Sequence, residues 1–248
     1  MQKESVNVNL PGKAPLANVG LTLAALTGAM ERPSHLPGIV VLYGPSGLGK
    51  STAATVATVQ LQAYYVQAKS SWTRKAVYQS ILKAMNINPA RTMYDMEEQV
   101  AAQLALGRRP LIIDECDHLV NKGIIEVVRD IYEASNAALL LIGEEYLPGN
   151  LARWERIHNR VLQWVPAQYA DMDDARALRD LYCIKVKVAD DLLARIHELS
   201  KGVVRRICVN LELAQQAGLE QGLAEIGLDA WGSRPFYTGK APVREVRR

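Results

Sequence analysis

The segment Gly44-Pro45-Ser46-Gly47-Leu48-Gly49-Lys50-Ser51 limits what this chain can fold into more than any other. It fits G-x-x-x-x-G-K-[ST] and lies between two runs of opposite character. Ile39–Tyr43 is short, apolar and rich in β-branched residues, the pattern of a buried parallel strand. Ser51–Leu61 reads as a helix. Glycines at these positions let the backbone curl so that its N–H groups point inward at phosphate oxygens. The helix amino terminus adds partial positive charge at the same place. Lys50 is then positioned for the β- and γ-phosphates, the Ser51 hydroxyl for Mg²⁺, and Thr52 continues the loop into the helix. A nucleoside triphosphate with Mg²⁺ is the expected ligand.

A second signal follows downstream. Leu111-Ile112-Ile113-Asp114-Glu115 is an apolar strand that delivers two acids at its carboxyl end, where ligands bind in open α/β sheets. Asp114 suits the metal, and Glu115 suits a general base that polarises the attacking water. The pair favours hydrolysis over simple nucleotide binding. The N-K-x-D motif that reads guanine does not occur.

Further strands are predicted at Ala63–Ala68, Ala137–Ile142 and Val161–Val165, the acid-bearing one starting at Pro110. Helices are predicted at Val19–Met30 with Asn18 as cap, Trp72–Met85, Tyr94–Leu106 ended by Gly107, Gly123–Ser135 and Leu147–Arg160. This alternation means a mainly parallel α/β sheet flanked by helices. After Pro166 the pattern turns helical, with runs at Asp171–Tyr182, Asp190–Ser200, Val203–Gly218 and Leu219–Gly227. The expected organisation is a lead-in and first helix over 1–37, a nucleotide-binding core over 38–168, a small all-α lid over 169–231 and a basic tail over 232–248.

Composition narrows the class. Of 248 residues 49% are apolar and 22% charged, enough to bury a core. Three cysteines (Cys116, Cys183, Cys208) form no C-x-x-C pair, which argues against a disulfide scaffold or zinc ribbon and fits a cytoplasmic setting. No apolar run approaches a membrane span, and the amino terminus lacks a signal-peptide core. The net charge of +3 is concentrated at one end. Residues 231–248, with Arg234, Lys240, Arg244, Arg247 and Arg248 against Glu245, carry +4 and leave −1 for the rest.

On the phosphate loop LYGPSGLGKST, the acidic strand LIIDECDHL and the helical region after them, the chain resembles the AAA+ ATPases over about residues 18–230. The resemblance implies ATP as the nucleotide. It places Glu144 or Glu145, after LLLI, where the family usually has a polar sensor. It seeks an arginine finger for a neighbouring subunit among Arg153, Arg156 and Arg160, with Arg160 first and Arg156 second. It makes Arg205 of Gly202-Val203-Val204-Arg205 a second sensor of the γ-phosphate, with Arg206 as fallback.

Within that family the compact layout, LLLIGEEYL, RIHNRV and GVVRRI resemble the ATPase regulators of DNA transposition, the B-type proteins of Mu-like phages and their TniB-like and IstB-like relatives. This implies an ATP-dependent homo-oligomer that coats duplex DNA, captures target DNA and activates a transposase, in a bacterial cytoplasm. Only 43 residues precede the phosphate loop, too few for the helix-turn-helix domain of the Mu-type protein plus the first core elements. Basic and hydroxyl side chains at Lys69, Ser70, Ser71, Thr73, Arg74 and Lys75, with Trp72 among them, suit DNA phosphates; Lys122 and Arg129 are second candidates. Cys116 reads as buried, and His118 as a neighbour of Glu115. Competing readings are an initiator or helicase-loader ATPase, a small-molecule kinase, and a STAND-type signalling switch.

Overall fold

The computed structural model describes residues 12–240; residues 1–11 of the expected 1–37 lead-in, and Arg244, Arg247 and Arg248 of the basic tail, lie outside the described residues. The chain divides into two compact units. One comprises residues 17–46 and 50–168, and the other residues 12–16, 47–49 and 169–240.

In the first unit, β1 (Ile39–Tyr43), β2 (Tyr64–Gln67), β3 (Leu111–Asp114), β4 (Leu139–Gly143) and β5 (Val161–Pro166) form one parallel sheet in the order β2-β3-β4-β1-β5. β1, β3 and β4 are central and buried on both faces, which is why they are written almost entirely in Ile, Val and Leu. Helices α1 (Ala17–Glu31), α2 (Lys50–Gln60), α3 (Arg74–Ala84), α4 (Met93–Gly107), α5 (Asp117–Asn121), α6 (Glu126–Ser135), α7 (Leu147–Leu151) and α8 (Glu155–His158) complete the unit. Tyr43 of β1 pairs with Gly143 of β4, and Gln67 of β2 with Asp114 of β3. The strands therefore end nearly level, and the loops after β1, β2, β3 and β4 gather at one end of the sheet.

The sheet predicted from sequence forms, and several helices differ from expectation. Asn18 is not a cap but a buried residue of α1; its carboxamide donates to the Gln168 carbonyl and accepts from the Gln168 N–H, each at 2.8 Å. α3 begins at Arg74 rather than Trp72, because the Thr73 hydroxyl caps it by accepting from the Ala76 N–H. α4 keeps Gly107, and Arg108 takes the left-handed terminal position at φ 49°. The predicted Gly123–Ser135 helix starts at Glu126, and the short α5 before it was not foreseen. The predicted Leu147–Arg160 helix is two short helices. Trp154 breaks it at φ −112°, ψ 70°, with its ring packed against the core and 3.6 Å from where a Cβ on Gly123 would lie.

The second unit holds α9 (Met172–Tyr182), α10 (Asp190–Ser200), α11 (Val204–Glu220) and α12 (Leu228–Trp231). It is not purely helical. β6 (Lys187–Val188) pairs in parallel with β7 (Glu225–Ile226), so the predicted Leu219–Gly227 helix is instead the end of α11, a turn and a strand. Residues 232–240 are tied down too. Asn210 of α11 exchanges two hydrogen bonds with Tyr237, and Arg234 donates to the Ala230 and Trp231 carbonyls at the end of α12. Arg234 thus neutralises a helix carboxyl terminus, and of the expected tail cations only Lys240 is exposed among the described residues without such a task. No helix among the described residues is long and apolar enough to cross a membrane.

Candidate nucleotide site

The phosphate loop joins β1 to α2. Gly47 and Gly49 have φ of 89° and 87°, a region that disfavours any side chain, so the loop's curl depends on them. The Lys50 ammonium lies under the loop and donates to the Gly44 carbonyl at 2.6 Å and the Pro45 carbonyl at 2.9 Å. Ser51 is exposed at the first turn of α2 and Thr52 follows it; Pro45 and Ser46 belong to the loop before the helix. Leu48 is fully buried and pins the loop. In the second unit the Gly47 carbonyl accepts from the Arg205 N–H at 3.0 Å, and a Cβ on Gly47 would lie 3.3 Å from that of Arg205. The Arg205 side chain itself is exposed.

Asp114 ends β3 with 2% of its surface exposed. Both carboxylate oxygens accept hydrogen bonds, Oδ1 from the Glu115 N–H at 2.8 Å and Oδ2 from the Tyr65 hydroxyl at 3.0 Å. Tyr65 escaped the sequence reading because nothing local marks it. It reaches Asp114 only because β2 and β3 are neighbours in the sheet. Burial, then the Asp114 charge, pushes the Tyr65 phenol well above its usual range, so it remains a donor. Glu115 follows in the left-handed region at φ 55°, a conformation that costs a non-glycine residue about 1 kcal/mol or more and is characteristic of functional positions.

Asp117, also missed, opens α5 and accepts from the Glu144 N–H at 2.8 Å. It presses on Gly143 at the end of β4, where a Cβ would overlap Asp117 Oδ2 and stand 2.6 Å from Leu147 Cδ2. Gly143→Ala should therefore lower thermal stability by about 1–3 kcal/mol through overpacking and loosen the Asp117–Glu144 bond, as a melting curve would read.

Charge links these loops. Burial lowers the Lys50 ammonium from its usual value, against the opposing pull of Asp114, Glu144, Glu115 and Asp117. Burial first, then Asp114, raises the Glu115 carboxyl, while His118 opposes the shift and Glu144 and Asp117 add to it. Glu144 thus belongs to the site, carrying an acid where a polar sensor was expected. Cys116 is fully buried, with a thiol pushed up by that burial. The donor set suits Mg²⁺·ATP. Ser51 and Asp114 offer hard oxygens, and the positive φ of Gly47 and Gly49 curls the loop for a phosphate. No group of three His, Cys, Asp or Glu that could itself hold a metal occurs among the described residues, so a divalent ion here needs oxygens from the nucleotide as well.

The other candidates lie elsewhere. Arg160 precedes β5 at the amino end of the sheet, opposite Lys50, and its guanidinium is engaged by Glu133 and by the Arg156 carbonyl. Arg153 and Arg156 are exposed. Lys69, Ser70, Ser71, Thr73, Arg74 and Lys75 are exposed after β2, and Trp72 is partly buried against the core rather than presented to solvent. The Lys122 ammonium donates to the Trp72 carbonyl at 3.2 Å, which brings it to this loop. Arg129 does not join them; it is paired with Glu126 at 3.0 Å and Asp130 at 2.8 Å.

Residues 34–151 match the family model described as an AAA domain. Replication factor C small subunit 2 of Pyrobaculum arsenaticum is 26% identical over 198 residues, 76% of this chain and 56% of the relative. The chain thus spans about half the length of the curated relatives it matches. The ADP form of the Aeropyrum pernix ORC2 protein superposes with a TM-score of 0.67 at 13% identity, covering 91% of this chain and 69% of that one. The Aeropyrum pernix ORC1 protein in complex with DNA gives 0.60 at 19% identity, with coverage of 86% and 62%. Over residues 34–151, then, the chain is similar to an AAA domain, and its fold is that of these solved structures.

Proposed function

We propose that this protein binds and hydrolyses ATP and uses the cycle to control an assembly on duplex DNA, in the manner of an initiator or loader ATPase. The observation that carries the reading is the convergence on one ammonium, Lys50, of the phosphate loop and of four acids: Asp114 at the end of β3, Glu115 after it, Asp117 at the start of α5 and Glu144 just after β4. Such a site has the positive charge and backbone donors for a triphosphate and the carboxylates for metal and water. Gly44, Pro45, Ser46, Gly47, Leu48 and Gly49 cradle phosphates, Lys50 neutralises them, and Ser51 and Asp114 hold Mg²⁺. When bound, that ion supplies charge neutralisation at the phosphate oxygens. Glu115 takes the proton of the attacking water. Arg205 reports on the γ-phosphate.

The finger for a neighbouring subunit is reassigned within the same segment. Arg160 was the first choice, but Glu133 engages it. Exposed Arg156 is the better donor. A nucleotide shared head to tail in this way builds a ring or a helix of copies. Lys69, Ser70, Arg74, Lys75 and Lys122 form the DNA-facing group, with Trp72 as its anchor.

The relatives named above, of replication-factor and ORC type, favour the initiator or loader reading over the transposition regulator. Nothing among them supports a transposase partner.

The test is ATP turnover and binding to mixed-sequence duplex DNA with ATP, ADP or no nucleotide. Binding that depends on ATP, with turnover stimulated by duplex, is expected; no binding in any nucleotide state sinks the DNA reading. Lys69→Ala combined with Arg74→Ala should weaken duplex binding and lower the slope of log affinity against log salt by about 2, one for each phosphate contact removed. An unchanged slope would remove this loop from the interface.

A further inference from the structure

We infer that Tyr65 is a positioning residue for the metal-binding carboxylate, fixing Asp114 in the orientation from which it receives Mg²⁺ with the nucleotide. The inference rests on the Mg²⁺·ATP reading of the site. A carboxylate at the end of a strand can rotate about its last bond, and a metal ligand must be held in one orientation to bind well. Here each oxygen of Asp114 accepts one hydrogen bond, from the Glu115 N–H on one side and the Tyr65 hydroxyl on the other. Two bonds from opposite sides set the carboxylate plane. Each oxygen keeps a further lone pair for a cation.

The two donors differ in origin. The Glu115 N–H is main chain and comes with any residue at that position. The Tyr65 hydroxyl is a side-chain choice, made on a different strand. Register explains its reach. Tyr65 pairs with Ile112, two residues before Asp114, so Tyr65 and Asp114 project from the same face of the sheet. The long phenol spans that offset along the strand. The main chain locks the register just beyond, where the Ala68 N–H donates to the Asp114 carbonyl at 2.9 Å. Phe at position 65 would keep the ring and its packing and lose only the donor.

The arrangement also ties the metal carboxylate to the loop that carries Lys69 and Lys75. That loop leaves β2 two residues after Tyr65, and Lys122 holds its Trp72 carbonyl.

The experiment measures affinity for a fluorescent ATP analogue on the full chain, first in EDTA and then across a Mg²⁺ titration. It compares the unaltered protein with Tyr65→Phe, Asp114→Asn and the double variant. Tyr65→Phe should match the unaltered protein's affinity in EDTA and stay folded, melting somewhat lower for the bond lost to a buried carboxylate. It should need about ten- to a hundredfold more Mg²⁺ to reach the same gain in affinity, the size expected when a group that orients a metal ligand is lost. Asp114→Asn should lose most of the Mg²⁺-dependent gain, and adding Tyr65→Phe to it should change nothing more, because the hydroxyl acts through the carboxylate. A Tyr65→Phe protein that titrates like the unaltered one while Asp114→Asn does not would overturn the positioning role and leave the site intact. Equal loss of affinity in EDTA and in Mg²⁺ would mean that Tyr65 supports the fold alone and would also overturn it. An unaltered protein with no Mg²⁺-dependent gain would overturn the Mg²⁺·ATP reading, and this assignment with it.

Discussion

Lys50→Ala is expected to abolish detectable ATP binding, weakening it by about 100-fold or more, and to leave the fold standing. The ammonium stands in the field of Asp114, Glu144, Glu115 and Asp117. Two unit charges 4 Å apart interact with about 4 kcal/mol at the effective dielectric of a protein surface. Without the lysine, a triphosphate approaches several carboxylates with only backbone donors and its own Mg²⁺ to offset them. The expected loss therefore combines missing attraction with uncovered repulsion. Stability should respond differently. Burial lowers the Lys50 ammonium in the folded state, so folding works against its charged form. A depressed lysine costs stability at pH values below its folded titration point. Removing the charge relieves that cost. The Gly44 and Pro45 carbonyls it leaves belong to a loop open to water at Ser46. Calorimetric titration with ATP beside a thermal melt separates the two effects. Near-normal binding by Lys50→Ala would remove the phosphate-loop reading altogether.

What the sequence disclosed and what it withheld follow one physical division. Local signals were legible. The strand–loop–helix around Gly44–Ser51 carries its mechanism in eight residues, and β3 announces itself by an apolar run ending in two acids. The order of the strands was not legible, because register and neighbour choice depend on the whole sheet. Tyr65 and Glu144 depend on that order. Tyr65 reaches Asp114 across the β2–β3 pair, and Glu144 meets Lys50 because β4 lies between β3 and β1. Gly143 looked like an ordinary strand terminator, although Asp117 leaves no room there for a Cβ. The helix errors have a similar source. Residues 147–160 have helical composition, and only the packing of Trp154 shows why the run breaks. β6 and β7 are two residues each, too short for any periodicity to register. Arg160 was chosen for its position beside a strand, and no sequence pattern could reveal that Glu133, 27 residues earlier, would engage it.

Glu115→Gln should separate binding from chemistry more cleanly than any other change, lowering turnover by about 10²- to 10⁴-fold while ATP still binds. Gln keeps the shape and can still hydrogen-bond a water, but it cannot take the water's proton. The environment of Glu115 supplies a second signature. Burial, and then the Asp114 charge, raises its carboxyl above the ordinary glutamate range, with His118 opposing. A base must be ionised to act, so turnover in the unaltered protein should climb with pH through that raised value. The residual turnover of Glu115→Gln should lack this limb. Stability carries the opposite sign. A carboxyl whose folded titration point lies above its unfolded one favours folding only while protonated, and that contribution is lost as pH rises through the folded value. Once ionised, Glu115 therefore strains the fold that uses it, and the neutral Gln relieves the repulsion from Asp114, Glu144 and Asp117. Glu115→Gln should melt at or above the temperature of the unaltered protein while having lost its turnover, the trade expected where a site is built for chemistry. The same variant, unable to complete hydrolysis, should stay on duplex DNA longer in ATP than the unaltered protein does. Steady-state turnover across pH, a melt at neutral pH and dissociation from labelled duplex would read all three. Turnover close to that of the unaltered protein would strip Glu115 of its role as base and pass the candidacy to Glu144, another acid in the field of Lys50.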